Sequence, residues 1–528
     1  MLRPRTRADR RLSLVGLLLT SFLVSPVLAQ DAAPAPAPPR EDVTRELQEL
    51  RAMRQDLQRQ MGEFDSRIRT LESGLGATSP SGAVPPAGGP VNVAPVPAVS
   101  ATREAPSKAP DISGEDVEIA GQEVPTPVKG QSSVYEPGRG FVLVRDDEGE
   151  LGVGLYTYAR YLNQMDLNKS YVDAFGRTQS IDRRNDIEFQ KVSMNMKGWL
   201  FDPKFRYYLF FWTNNPAQGD GAQVVIGGWV AYEFSKWLNV TVGIVPLPTT
   251  HSTNWSFPNW LRNDNRVMAD EFFRGSYTQG IEATGEILPG LRYRASLANN
   301  LSALGVSAKE LDSDLNTQSI ALWWMPTTHE YGPSFGIGDY EYHKQLATLF
   351  SVHFTHSRED AQGQPDVDVF DNSQIRLSDG TRLFSPDPFN VGVNIEKATY
   401  KMLALNGGFK YKGWHLEGEY YFRWVDNFKA SGPLPVDKLY DNGFTIQGST
   451  MVVRDVLQAY GTASKIYGEY GDPTEFSLGL NWFPFRRKEV RLNTQLLFLN
   501  DSPVGGTALP QTVGGDGVVF STDLIIAF

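Results

Sequence analysis

From about residue 151 to the C-terminus, apolar and polar side chains alternate with period two, and turn residues break the alternation at intervals. In 290–301, Leu291, Tyr293, Ala295 and Leu297 alternate with Arg292, Arg294, Ser296 and Asn300. In 413–426, Trp414, Leu416, Tyr420, Phe422 and Trp424 alternate with His415, Glu417, Glu419, Tyr421 and Arg423. Segments 275–288 and 473–484 read the same way, with Tyr277, Ile281, Ala283 and Ile287 on one apolar face and Phe476, Leu478, Leu480 and Trp482 on the other. Each apolar face runs about nine to eleven residues with aromatic rings towards its ends, the length of a tilted strand crossing a bilayer. Strands of a soluble sandwich run about five or six residues and are mostly aliphatic on the apolar side. The connections also differ in kind. Asp202-Pro203 and Pro289-Gly290 are tight turns, while long polar stretches lie around 246–272, 302–315, 357–396 and 427–448. Short turns at one end and long loops at the other are the layout of a transmembrane barrel.

Fifteen candidate strands follow: 151–163, 184–201, 204–214, 222–234, 236–246, 275–288, 290–301, 316–326, 345–357, 398–412, 413–427, 449–462, 473–484, 487–500 and 517–528. Bacterial single-chain barrels have even strand numbers, so sixteen are expected, with 332–343 the leading candidate for the missing one. The predicted fold is an all-β barrel of about 16 antiparallel strands over 141–528, preceded by an α-helical coiled coil and a disordered linker.

The region before the barrel reads differently. Arg3, Arg5, Arg7, Arg10 and Arg11 precede a short apolar stretch, Leu12 to Val24, and Val27-Leu28-Ala29 supplies a small residue for cleavage, so 1–29 is expected to be a signal peptide. The apolar stretch is too short for a spanning helix, which needs about 20 residues. Residues 30–42 form an Ala/Pro tether. In 43–75, Val43, Leu50, Leu57, Phe64 and Leu71 fall on one heptad position and Leu47, Met61, Ile68 and Leu75 on another, interrupted by Arg54. Glu46 would face Arg51, and Arg67 would face Glu72, across a parallel pair, favouring self-association as a stalk. Residues 76–140, rich in Pro, Ala and Gly, read as disordered linker.

Composition narrows the chemistry. There is no cysteine, so neither disulfides nor thiolate sites exist. The six histidines form no H-x-x-x-H or H-E-x-x-H pattern, so no metal or other cofactor is expected. A net charge of −11 argues against a nucleic-acid partner. The sequence has no G-x-S-x-G elbow and no Ser/His/Asp set at one level of neighbouring strands, so an enzyme is not expected.

The last strand carries Val518, Phe520, Thr522, Leu524, Ile526 and Phe528 on one face. A strand ending on Phe528 behind Ile526 and Leu524 resembles the C-terminal signal by which outer-membrane barrels engage their assembly machinery. Further motifs point the same way: Lys197 to Tyr207 (KGWLFDPKFRY), Asn239 to Pro246 (NVTVGIVP), Leu291-Arg292-Tyr293-Arg294, and Asn481-Trp482-Phe483-Pro484. In their order they resemble the phosphate-selective porin O and P family over roughly 150–528. That resemblance implies a homotrimer of sixteen-stranded barrels in the bacterial outer membrane, phosphate as solute, and a constriction loop folded into each pore. Leu247 to Phe272 would be that loop.

Anion selectivity needs Arg or Lys unopposed by carboxylates. The expected loop carries Arg262 and Arg266 against Asp264, Asp270 and Glu271, and the lumen face carries Arg160, Arg292, Arg294, Lys410, Lys412 and Arg423 against Glu282, Glu286, Glu417 and Glu419. The residues alone therefore describe a polar, mixed-charge pore. The expected function is passive diffusion of small hydrophilic solutes or ions, with phosphate as the addition the resemblance makes. The alternative is a structural tether, its stalk reaching through the periplasm to peptidoglycan.

Overall fold

The computed structural model describes residues 134–136, 139–214, 223–255, 260–304, 306, 310–311, 314–331, 338–364, 373–506 and 508–528. The expected signal peptide, tether, coiled coil and nearly all of the expected linker lie outside the described residues.

A short hairpin comes first, β1 (Val134–Glu136) and β2 (Gly140–Arg145), already inside the stretch expected as linker. Then follow β3 (Gly149–Asn163), the small β4 (Ser170–Val172) and β5 (Thr178–Ser180), β6 (Asn185–Leu200), β7 (Asp202–Asn214), β8 (Gln223–Ser235) and β9 (Leu238–Pro246). After two short helices, α1 (His251–Trp255) and α2 (Met268–Phe273), come β10 (Tyr277–Leu288), β11 (Leu291–Ala298), β12 (Thr317–Trp324) and β13 (Ala347–Asp360). The remainder are β14 (Ile395–Tyr411), β15 (Trp414–Ala430), β16 (Lys438–Val453), β17 (Leu457–Tyr467), β18 (Thr474–Trp482), β19 (Val490–Asn500) and β20 (Gly517–Ala527).

Sixteen of these, β3 and β6 to β20, pair antiparallel in chain order. β20 returns to β3, from Phe520↔Asn163 to Ala527↔Tyr156, and closes the barrel. Closure leaves none of the sixteen as an edge strand. The C-terminal strand stops partway along β3, where Phe528 N–H donates to the Leu155 carbonyl. β2 takes over the rest of that edge (Phe141↔Val153). The Phe528 ring packs edge-on against Phe141 at 5.3 Å and against Tyr135 at 6.5 Å.

Alternation places the outer face as expected. Trp414, Leu416, Phe476, Leu478, Leu480, Trp482 and Leu524 are exposed on the outside, while His415, Glu417, Arg423, Ser477, Asn481 and Asp523 are buried within. This outward apolar band is the surface of a barrel that sits in lipid. Among the described residues no helix is long and apolar enough to cross a membrane. β15, 17 residues long, extends about 56 Å at roughly 3.3 Å per residue. Tilted about 45°, it rises about 40 Å, more than an apolar band of about 25 Å. The longer strands therefore stand above the membrane at the long-loop end.

Two expectations are corrected. The sixteenth strand is not 332–343, whose described part forms a turn at 338–341. The predicted strand 449–462 is instead the end of β16 and the start of β17, joined at 454–456, and the stretch expected as loop up to 448 holds most of β16. Val452, Val453, Val456 and Leu457 carry the apolar pattern straight through the turn, and only Asp455, at φ 59°, marks the reversal. The Asp202-Pro203 turn also moves. Phe201, at φ 64° and 77% exposed, makes the reversal, and Asp202 already pairs with Leu200.

Candidate permeation site in the barrel lumen

The described residues of the connection between β9 and β10, 247–255 and 260–276, fold into the barrel rather than out of it. Leu247, Met268, Ala269, Phe272 and Phe273 form one apolar cluster with Tyr400, Met402, Tyr421 and Val425 of the wall and with Ile375, Leu377, Leu383 and Phe389 of a second inward loop. Each buried apolar side chain contributes about 1.5–3 kcal/mol, which offsets part of the entropy of ordering an irregular loop. The described residues 373–394 of the 361–394 connection, expected only as part of a long polar loop at 357–396, thus belong to the lumen filling.

The loop's polar groups then meet the wall. Tyr156 and Tyr158 of β3 donate to Asn263 Oδ1 (3.0 Å) and Asp264 Oδ2 (2.6 Å). Asn481 and Asn493 donate to the Leu261 carbonyl at 3.0 and 3.3 Å, and Arg491 to that of Trp260 at 2.7 Å. These contacts satisfy loop carbonyls that would otherwise be buried without partners.

The predicted charges divide into two groups. Arg160, Arg262, Asp264, Arg266 and Arg423 all gather at the loop. Arg160 pairs with Asp523 at 2.6 Å and donates to the Asn263 carbonyl. Arg262 is bonded to Glu475 of β18, with both side chains at most 1% exposed. Asp264 pairs with Lys191 of β6 at 2.7 Å. Arg266 donates to Ser252 Oγ at 2.9 Å, stands 3.6 Å from Glu271 and lies over the Trp260 ring. Arg423 pairs with Asp441 at 2.6 Å and stacks on Phe272. Arg292, Arg294 and Lys410 sit lower on the wall. Arg294 stands 3.4 Å from Glu282, and the Lys410 ammonium lies 4.9 Å from the centre of the Tyr331 ring. Lys412 is not a lumen residue, because it forms the β14–β15 turn at φ 49°.

Lys191, Glu475, Asp441 and Arg491 were not singled out from the sequence. Glu475 shares the parity of Ser477 and was legible as inward. Lys191 was not, because β6 carries a bulge: Tyr158 pairs with Lys191 but Ala159 with Phe189, and the extra Gln190 breaks the alternation.

A small hollow lies between the inward loops and the wall. Its lining includes Lys191, Arg266, Arg274 and Arg376 against Asp264 and Glu271. Arg274 is held by Glu271 in a two-pronged pair at 2.7 and 2.8 Å.

At the short-turn end, the β12–β13 connection is long, 325–346, and its described residues tuck into the mouth. Tyr331 and Asp339 are fully buried, Tyr340 packs on Phe483, and Lys488 reaches Glu341 at 2.9 Å. His343 bonds Asp339, whose other oxygen accepts from Gly413 N–H. Asp339, Glu341 and His343 are close enough to bracket a metal ion, but Lys488, Gly413 and the His343–Asp339 bond already engage them. Burial alone would lower the His343 imidazole. Hydrogen bonds to Asp339 and Glu330 outweigh it and raise the group to about 9. Burial would likewise raise Glu341, yet the charges of Lys488 and Lys410 bring it down to about 2.

What these features define is a closed sixteen-stranded antiparallel membrane barrel with an inward loop crossing its lumen. No protein-family model and no curated protein matches the sequence. Among solved structures the chain is similar to the anion-selective porin of Comamonas acidovorans (TM-score 0.47, 11% identity, 72% of this chain and 100% of that one). It is also similar to the outer membrane channel DcaP of Acinetobacter baumannii (TM-score 0.43, 8% identity, 73% and 99%). A third similar structure is OmpF of Salmonella typhi (TM-score 0.42, 9% identity, 73% and 99%). The similarity is confined to overall barrel architecture.

Proposed function

We propose that this chain is an outer-membrane porin for passive diffusion of small hydrophilic solutes, with a modest preference for anions. The observation that carries the reading is the loop 247–276, seated inside a closed barrel and tied to its wall at Glu475, Lys191 and Tyr158. A loop so placed narrows a lumen without sealing it by regular structure. The anion preference rests on the hollow beside it, whose four basic side chains outnumber two carboxylates. Phosphate would share that preference with other small anions, because the cations there already hold carboxylate, hydroxyl or carbonyl partners. Short turns then face the periplasm and long loops the outside. Phe528, Ile526 and Leu524 serve as the assembly signal, and the family resemblance supplies a homotrimer.

Single-channel recording of the 134–528 fragment tests this. Discrete steps with a reversal potential on the anion side of zero in a KCl gradient are expected. A barrel without steps favours the tether reading, in which the predicted coiled coil reaches the cell wall. Cation preference would remove the anion assignment while leaving the channel.

A further inference from the structure

The lumen wall of β7 and β8 is aromatic, which a simple aqueous pore does not require. Strand register fixes which side chains share the inner face. Tyr156 and Tyr158, which reach the inward loop, pair with Ser193 and Lys191 of β6. Ser193 pairs with Trp212, Asn195 with Phe210 and Lys197 with Tyr208. Tyr208 pairs in turn with Trp229 of β8. Tyr208, Phe210, Trp212 and Trp229 therefore all point into the lumen. The Tyr208 and Trp229 rings stack at 5.7 Å and 19°, and the Phe210 ring lies 5.9 Å from Tyr208. Opposite Phe210 stands Gly227, where a Cβ would come within 2.5 Å of the Phe210 ring, so glycine is what lets that ring lie across the wall.

Tyr208, Phe210 and Trp229 remain partly exposed within the lumen, while Trp212 is buried under Lys191, whose ammonium lies 4.1 Å from its ring centre. Partly exposed aromatic rings in water forgo the gain of burial unless something passes over them. The charges at the ends of the strip come as pairs, Lys191 with Asp264 at 2.7 Å and Arg206 with Glu233 at 2.9 Å. A paired cation and carboxylate present donors and acceptors together and no net charge. That suits a neutral, polyhydroxylated ring: its C–H face lies on the aromatic rings and its hydroxyls exchange water for the flanking pairs. An aromatic acid would match the rings and Lys197, which stands beside Tyr208 in the register, so it is the competing solute that the test separates from a sugar.

We propose that the β7–β8 strip is a stacking track for carbohydrates, rings Tyr208, Phe210 and Trp229 binding a sugar transiently as it passes the constriction. This rests on the channel reading and names a solute class for it. The test is single-channel recording of the full chain in KCl with maltotriose added at millimolar concentration. Saturable current blockades are expected, and a polyethylene glycol of matched size should give only a small non-saturating decrease. Trp229→Leu and Phe210→Leu should each raise the half-blocking concentration roughly tenfold, the size of one lost stacking contact. Both should migrate on gels as heat-modifiable folded barrels in the parent's proportion, which establishes that the barrel has folded. Maltotriose indistinguishable from the polymer overturns the proposal, as does saturable block by benzoate but not by maltotriose. Absence of conductance steps in KCl alone would instead be a failure of the channel reading.

Discussion

Replacing Glu475 by Gln removes one half of the pair that holds the tip of the inward loop. Arg262 and Glu475 are at most 1% exposed, and Glu475 also accepts from Gln511 of the 501–516 loop at 2.9 Å. Breaking a buried pair from one side costs about 3–5 kcal/mol, and in a polar lumen the lower end applies. About 3 kcal/mol is a shift of roughly 150-fold in the balance between seated and unseated loop. The tip stays tethered through Asn481, Asn493 and Arg491, so a rarely visited unseated state should become visible rather than dominant. In planar-bilayer recordings E475Q should therefore show new conductance substates and shorter dwell times. It should also move the reversal potential towards greater anion preference, since one carboxylate is gone. The double variant R262M/E475Q should be quieter than E475Q alone, because no charge is then left buried without its partner. If E475Q matched the parent in dwell times and reversal potential, the loop would not be held by this pair and the constriction would lie elsewhere.

The strap at the short-turn end should respond to pH. His343, raised to about 9 by its carboxylate partners against the opposing effect of burial, contributes stability that is complete below its ordinary value of 6.5. That contribution is lost as pH rises through 9. Hydrogen-exchange protection across 325–346, referred to the intrinsic exchange rate at each pH, should therefore be high at pH 6 and low at pH 10, and D339N should abolish the difference in protection. Gly338→Ala should loosen the same strap: Gly338 sits at φ 58°, and a Cβ there would lie 2.1 Å from Ser449 Oγ and 2.6 Å from Gln458 Nε2. The backbone cost alone is about 1–2 kcal/mol, and limited proteolysis within 325–346 would report it. Deleting Phe528 removes the ring held by Phe141 and Tyr135 and the last backbone bonds to Leu155. The fraction of chain migrating as heat-modifiable folded barrel should fall several-fold, and an unchanged fraction would dismiss the C-terminus as an assembly signal.

Inside-versus-outside was legible along most of the chain because a strand has a side-chain period of two and each face meets a different solvent. Lipid on one side and water on the other leave a one-dimensional record, which is why Trp414 and Arg423 could be assigned to opposite faces without coordinates. The same record misleads where local chemistry departs from it. At Val452 to Leu457 the apolar pattern runs through a turn, and at Gln190 a bulge shifts parity and hides Lys191.

The sequence by itself determined that this is a membrane barrel of even strand number with a loop after Pro246 suited to enter it. It could not determine which charges meet. Arg262 and Glu475 lie far apart in the chain, as do Arg160 and Asp523, and only barrel closure and the inward fold of the loop bring them together. Nor could it show that the described residues of the β12–β13 connection tuck into the mouth, or that four rings on two strands form a strip on the lumen wall. Those are consequences of register and closure, and an interaction that depends on the folded path of the chain has no local signature to read.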